Sequence, residues 1–93
     1  MKLNNTEMII YRSADGRVKI DVRMEGETLW LSQAQMALLF GRDRSVITKH
    51  IRNIFAEGEL DEKRNVQNLH IANSDKPVMF YTLDVILAVG YRV

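Results

Sequence analysis

The sequence predicts an α+β domain on three observations. Val18, Ile20, Val22 and Met24 alternate with Lys19, Asp21 and Arg23, the period of a strand with one buried face. Residues 32–52 carry apolar side chains at helical spacing on both sides of a single glycine, Gly41. Two further strand-like runs, 66–73 and 78–81, follow that helical stretch.

Residues 7–13 and 18–24 read as a β-hairpin. Asp15-Gly16 is its turn, because glycine accepts a positive φ and aspartate tolerates one. A two-residue loop there pairs Tyr11 with Ile20 and Ile9 with Val22, which collects the apolar side chains on one face. Arg12, Lys19 and Arg23 take the other face. Gly26 breaks the strand, and residues 28–31 lead into the first helix, with Trp30 expected to anchor the hairpin on the core. Ser32-Gln-Ala-Gln35 has the form of a capping box, in which the serine hydroxyl and the glutamine side chain satisfy each other's backbone N–H groups. The helix it starts spans 33–40, buries Met36, Ala37, Leu39 and Phe40, and ends at Gly41. Asp43 caps a second helix whose stripe is Ile47, Ile51, Ile54 and Phe55, closed by Gly58.

The charged run 57–64 reads as a solvated connector. The second hairpin has its tip at Ser74-Asp-Lys-Pro77, a four-residue loop that pairs Ile71 with Phe80. Thr82 caps a last helix over 83–92, with Val85, Ile86, Leu87 and Val89 as its apolar positions. The expected architecture is therefore winged-helix-like: a helix-turn-helix, residues 32–56, between two β-hairpins, all within one domain spanning 1–93. Because the apolar pattern runs to Val93, the chain is expected to be the N-terminal part of a longer protein.

Composition narrows the chemistry. The chain has no cysteine, which excludes disulfides and thiolate metal sites. His50 and His70 stand at no usual zinc spacing, so no metal and no cofactor are expected. His50 borders the buried face of the second helix and His70 lies in a strand, both structural positions. No apolar run reaches the length of a signal peptide core or a membrane span, and a cytoplasmic protein with no membrane contact is expected. The carboxylates at 57–62 form no recognisable catalytic pair, and neither a glycine-rich phosphate loop nor a serine elbow is present, so no enzymatic activity is expected.

Net charge is only +1, but its distribution is uneven. Residues 1–31 hold five basic and five acidic side chains, residues 32–56 hold Arg42, Arg44, Lys49 and Arg52 against Asp43, and residues 57–93 hold four basic and six acidic. The positive excess thus coincides with the helix-turn-helix, as a local DNA patch requires. The motif itself makes three demands: a small residue where the helices meet, a turn residue that accepts the left-handed conformation, and a second helix with one buried and one polar face. Ala37, Gly41 and the Ile47/Ile51 stripe meet them. Ser45, Thr48, Lys49 and Arg52 then share the outer face, with Arg44 at the end that meets base edges.

Double-stranded DNA is the expected partner. Arg44 can donate two bonds to guanine, worth roughly 1–3 kcal/mol of discrimination. Ser45 and Thr48 can bond a base edge or a phosphate, and Lys49 and Arg52 suit phosphates. Ser32 and Gln33 sit at a helix start whose free N–H groups suit a phosphate. Arg42 stands where such motifs usually place an apolar plug, and is expected to turn outward onto the backbone. Asn73, Ser74 and Lys76 would touch DNA if the second hairpin acts as a wing. One copy has a small footprint, so a homodimer or a second domain is expected. The alternative is a protein–protein interaction module whose basic face is ordinary solvated surface.

The runs Glu27-Thr-Leu-Trp-Leu-Ser-Gln-Ala-Gln-Met-Ala-Leu-Leu-Phe-Gly41, Asp43-Arg-Ser-Val-Ile-Thr-Lys-His-Ile-Arg-Asn-Ile-Phe55, Glu57-Gly-Glu-Leu60 and Leu83-Asp-Val-Ile-Leu-Ala-Val-Gly-Tyr-Arg-Val93 resemble the N-terminal region of the RhuM-like bacterial virulence protein family. That region also precedes Fic/death-on-curing domains in some proteins. The resemblance spans roughly residues 7–93. It implies a DNA-binding, regulator-like N-terminal domain followed by a C-terminal domain absent from this chain, and it supplies no catalytic residues. A Fic-like C-terminal domain would make this an accessory domain. Arg42 and the short tip at 74–77 depart from the family's commoner pattern.

Overall fold

The alternating segment and its partner pair in the register that the Asp15-Gly16 turn dictates. Strands β1 (Glu7–Arg12) and β2 (Lys19–Glu25) are antiparallel, with Tyr11 opposite Ile20 and Ile9 opposite Val22. The computed structural model describes residues 7–12, 14–26, 28–70 and 76–93. The described pairs run from Glu7–Met24 to Arg12–Lys19. Within the loop Asp15 accepts a bond from the Arg17 N–H at 3.0 Å, and Gly16 takes the positive φ of 75°.

The expected lead-in to the first helix is instead a third strand, β3 (Thr28–Ser32), which pairs with β2 from Glu25–Thr28 to Arg23–Trp30. Gly26, with φ 67°, turns the chain back so tightly that a hairpin forms where a simple break was expected. This moves Trp30. Leu31 enters the core at 3% exposure, and alternation puts Trp30 on the opposite face, half-buried and outside the core cluster. Trp30 therefore does not anchor the hairpin on the core.

Two helices follow as the sequence predicts. In α1 (Gln33–Phe40) the capping box is complete: Ser32 Oγ accepts from Gln35 N–H at 3.2 Å, and Ser32 N–H donates to Gln35 Oε1 at 2.9 Å. Gly41 ends α1 at φ 65°, and Arg42 N–H reaches back to Ala37 O at 3.1 Å. Asp43 then caps α2 (Arg44–Ala56), accepting from Ser45 N–H at 3.0 Å. Its stripe Ile47, Ile51 and Ile54 is buried to 4% exposure or less. After the cap residue Glu57, Gly58 at φ 74° donates to Phe55 O and Glu59 donates to Ile54 O, the paired bonds of a Schellman stop.

The run 57–64 is not a solvated loop throughout. Asp61 caps a short helix, α3 (Glu62–Asn65), and Asn65 is buried. Its amide donates to Asp61 O at 2.7 Å and accepts from Thr82 Oγ1 at 2.6 Å. These bonds fix where β4 (Val66–His70) starts against β5 (Pro77–Thr82): Val66 faces Tyr81, and Gln67 faces Phe80. The predicted Ile71–Phe80 register is thus wrong by four residues, and Pro77 opens β5 opposite His70 instead of closing the tip. An even shift leaves every side chain on the same face, so alternation alone could not tell the two registers apart. Ile71, Asn73, Ser74 and Asp75 lie outside the described residues.

The last helix, α4 (Leu83–Arg92), matches its predicted span, but Thr82 does not cap it through its side chain. The Thr82 hydroxyl is spent on Asn65, and Thr28 of β3 takes over: its Oγ1 accepts the Leu83 N–H at 3.2 Å. All five strands form one antiparallel sheet in the order β1-β2-β3-β5-β4. In the chain, α1 and α2 therefore lie between a three-stranded meander and a hairpin. Its helices and α4 bury Met36, Ile47, Ile54, Val85 and Val89 against the face carrying Ile20, Leu31 and Tyr81. Among the described residues no helix is long and apolar enough to cross a membrane.

Two substitutions test this packing. Ile54→Ala, at a fully buried position, is expected to cost roughly 2–5 kcal/mol. Thr28→Ala is expected to cost about 1 kcal/mol by stripping the first turn of α4 of its acceptor. Urea unfolding followed by far-UV circular dichroism measures both.

Candidate nucleic-acid interface

The outer face of α2 follows from its inner one. With Ile47, Ile51 and Ile54 buried where α2 packs on α1 and α4, Arg44, Ser45, Lys49 and Arg52 are exposed and Thr48 is half-buried. Arg42, in the turn, is also exposed, with Nη1 3.4 Å from the Gly41 carbonyl. Among the described residues none of Arg42, Arg44, Lys49 and Arg52 is paired with a carboxylate. The one acid in the region, Asp43, is committed to the helix start. Its carboxylate accepts from both the hydroxyl and the N–H of Ser45, which lowers its pKa, the hydroxyl bond contributing most. The Ser45 hydroxyl proton is thereby engaged.

Thr48 and Gln33 are joined to each other. Thr48 Oγ1 lies 2.6 Å from Gln33 Oε1 and 3.0 Å from Arg44 O, so its single proton is shared between them. Gln33 Nε2 donates to the Tyr81 hydroxyl at 2.9 Å, and that hydroxyl lies 3.8 Å from Met79 Sδ. This chain runs from the middle of α2, through the first residue of α1, to β5. It holds the helical pair against the second hairpin. Sequence reasoning marked Gln33 and Thr48 but missed Tyr81 and Met79, which stand more than thirty residues beyond Thr48.

Two open grooves flank the chain. One, of about 390 Å³, is lined by Gln33, Thr48, Arg52, Glu62 and Tyr81 among others. The other, of about 340 Å³, is lined by Ser32, Gln33, Arg44, Val78 and Met79 among others. Arg44 and Arg52 thus border different grooves on either side of Gln33. Ser32 belongs to the second groove, and its hydroxyl, which accepts from Gln35, keeps a proton to donate. Lys76 is exposed just before β5, on the hairpin beside this face. Among the described residues no group of three His, Cys, Asp or Glu side chains could hold a metal ion.

The far end of α2 is held by an ion triad that nothing in the sequence advertises. Arg92 Nη2 donates to Glu57 Oε1 at 2.7 Å and to Glu59 Oε1 at 2.8 Å, joining the Schellman stop of α2 to the last turn of α4. The bond from Arg92 and its charge lower the Glu57 pKa, and the two carboxylates raise that of Arg92. Comparison with protein-family models, curated proteins and solved structures gives no match.

The triad sets an acid dependence. Glu57 titrates below its ordinary value in the folded chain, so its stabilisation is complete above the unfolded glutamate pKa of about 4.3. It is lost as pH falls through the lower folded value. Glu57→Gln is expected to flatten the acid limb of a melting-temperature profile taken through that range and to leave the neutral-pH dependence unchanged.

Proposed function

We propose that this chain is a double-stranded DNA-binding domain with a winged-helix-like arrangement, in a binding role and not a catalytic one. The carrying observation is the outer face of α2, where Arg44, Lys49 and Arg52 are exposed and free of carboxylate partners among the described residues, opposite a fully packed isoleucine stripe. Connectivity supports the reading. The order β3-α1-α2-α3-β4-β5, with β5 lying between β3 and β4, is compatible with a helix-turn-helix followed by a wing-like hairpin. The resemblance to the RhuM-like family points the same way.

In this reading α2 enters the major groove with its N-terminal end at the bases. Arg44 reads guanine there, while Lys49 and Arg52 bind phosphates and fix register. Ser32 and the first N–H groups of α1 take a further phosphate, as do Arg42 beside the turn and Lys76 on the flanking hairpin. Ser45, Thr48 and Gln33 act differently from a simple contact list. Their hydrogen bonds to Asp43, to each other and to Tyr81 make them the residues that hold α2 at its angle.

The combined substitution Arg44→Ala with Arg52→Ala is expected to reduce duplex affinity more than tenfold in a mobility-shift assay while the thermal melt stays unchanged. Wild-type affinity in that double variant would refute the site. Lys49→Ala is expected to make the slope of log affinity against log salt shallower by about 0.9, one phosphate's worth. A slope indifferent to Lys49 would remove it from the interface.

A further inference from the structure

One part of the surface is dressed for contact in a different way from α2. On the side of α4 turned away from the core, Leu87 is 52% exposed and Tyr91, one turn later, is 91% exposed. Beside them lies a cleft of about 440 Å³ lined by Leu39, Phe40, Ile86, Leu87, Gly90 and Tyr91, without a charged side chain. Its floor depends on Gly90: a Cβ there would stand 3.2–3.3 Å from the Phe40 ring, so α1 and α4 approach closely at that point. Through Leu39 and Ile86 the cleft continues into a second apolar hollow, of about 230 Å³, bordered by Tyr11, Val22, Leu29 and Leu83.

We propose that this cleft is the docking surface for a second copy of the same chain. Shape and area argue for that occupant. A two-fold interface requires a surface that complements itself, with residue i of one copy meeting residue j of the other and the reverse. Here a projecting tyrosine and an empty apolar cleft stand side by side on one stripe of α4, so a two-fold axis across that stripe seats each Tyr91 in the other copy's cleft. The band also lacks charge, so it offers nothing to select a partner of opposite sign. Its exposed apolar surface, from Tyr91 and Leu87 at the cleft to Tyr11 at the second hollow, is on the order of 500 Å², more than half of the roughly 800 Å² per partner that a standard stable interface uses.

Docking there leaves α2 uncovered. Val85, Ala88 and Val89 of α4 are buried in the core, Ile86 is buried where the core meets the cleft, and the exposed Leu87 and Tyr91 stand on the outer side of the helix. A dimer so formed presents two copies of the basic helix.

Sedimentation equilibrium of the 93-residue chain, in the absence of DNA, tests the proposal separately from the DNA reading. The wild-type chain is expected to reach the mass of a dimer and no more. Leu87→Glu is expected to stay monomeric at the same concentrations, and Tyr91→Ala to weaken the dimer at least tenfold, both with wild-type thermal melts because both side chains are largely exposed. A wild-type chain that remains monomeric at hundreds of micromolar would overturn the proposal. So would a dimer of undiminished strength in both variants, or open-ended association beyond two copies.

Discussion

Three residue pairs at the centre of the sheet, Trp30–Thr82, Leu31–Tyr81 and Ser32–Phe80, are the contact on which the rest of the structure depends. They join the meander to the C-terminal hairpin across some fifty residues of chain. Each strand of the pair ends where a helix begins, so the same short ladder sets the origin of α1 at Ser32 and of α4 at Thr82. It also brings Thr28 within reach of the Leu83 N–H and Gln33 within reach of the Tyr81 hydroxyl. Leu31 and Tyr81, opposite each other on the helix-facing side, are the part of the sheet on which all three longer helices converge. An edge contact would leave the helical pair resting on one hairpin. This central one makes both halves of the sheet support it.

What could be read from the residues was what neighbouring residues decide. The capping box at Ser32, the left-handed glycine at 41, the Asp43 cap and the isoleucine stripe all stand as predicted, because each is a contest between a side chain and backbone groups within one or two turns. The first hairpin's register was legible because Asp15-Gly16 and the alternation of 18–24 agree. The second hairpin lacked such agreement. Its register is set by Asn65 bonding to Thr82, and both registers gave the same apolar face. The strand at 28–32 is hidden in the sequence although Leu29 and Leu31 alternate with Thr28, Trp30 and Ser32, because a glycine such as Gly26 is as compatible with the end of a strand as with a tight reversal.

The candidate site divides along the same line. Residue type and helical phase were enough to place Arg44, Lys49 and Arg52 on an exposed face. They could not disclose that Thr48 and Gln33 are committed to each other, nor that Arg92 joins two glutamates just beyond α2. Those partners lie 15 to 35 positions apart in the chain, and only the fold brings them together. The result is a helix anchored at three points: by Asp43 at its start, by Gln33 along its side and by Arg92 at its end. Its cations meanwhile remain free of carboxylate partners among the described residues.

The bond from Thr28 to Leu83, spanning 55 positions, and that from Gln33 to Tyr81, spanning 48, also bear on how the chain reaches this state. Helix-turn-helix segments form through local contacts and are quick to assemble, whereas pairing strands distant in sequence demands loop closure first. In this domain the apolar stripe of α2 is covered by α1 and also by α4, which arrives only after β5. The two short helices are therefore not an autonomous nucleus to which a sheet is later added. Their lasting cover requires the long-range closure that pairs β3 with β5 across some fifty residues, the contact of highest loop-closure cost in the sheet.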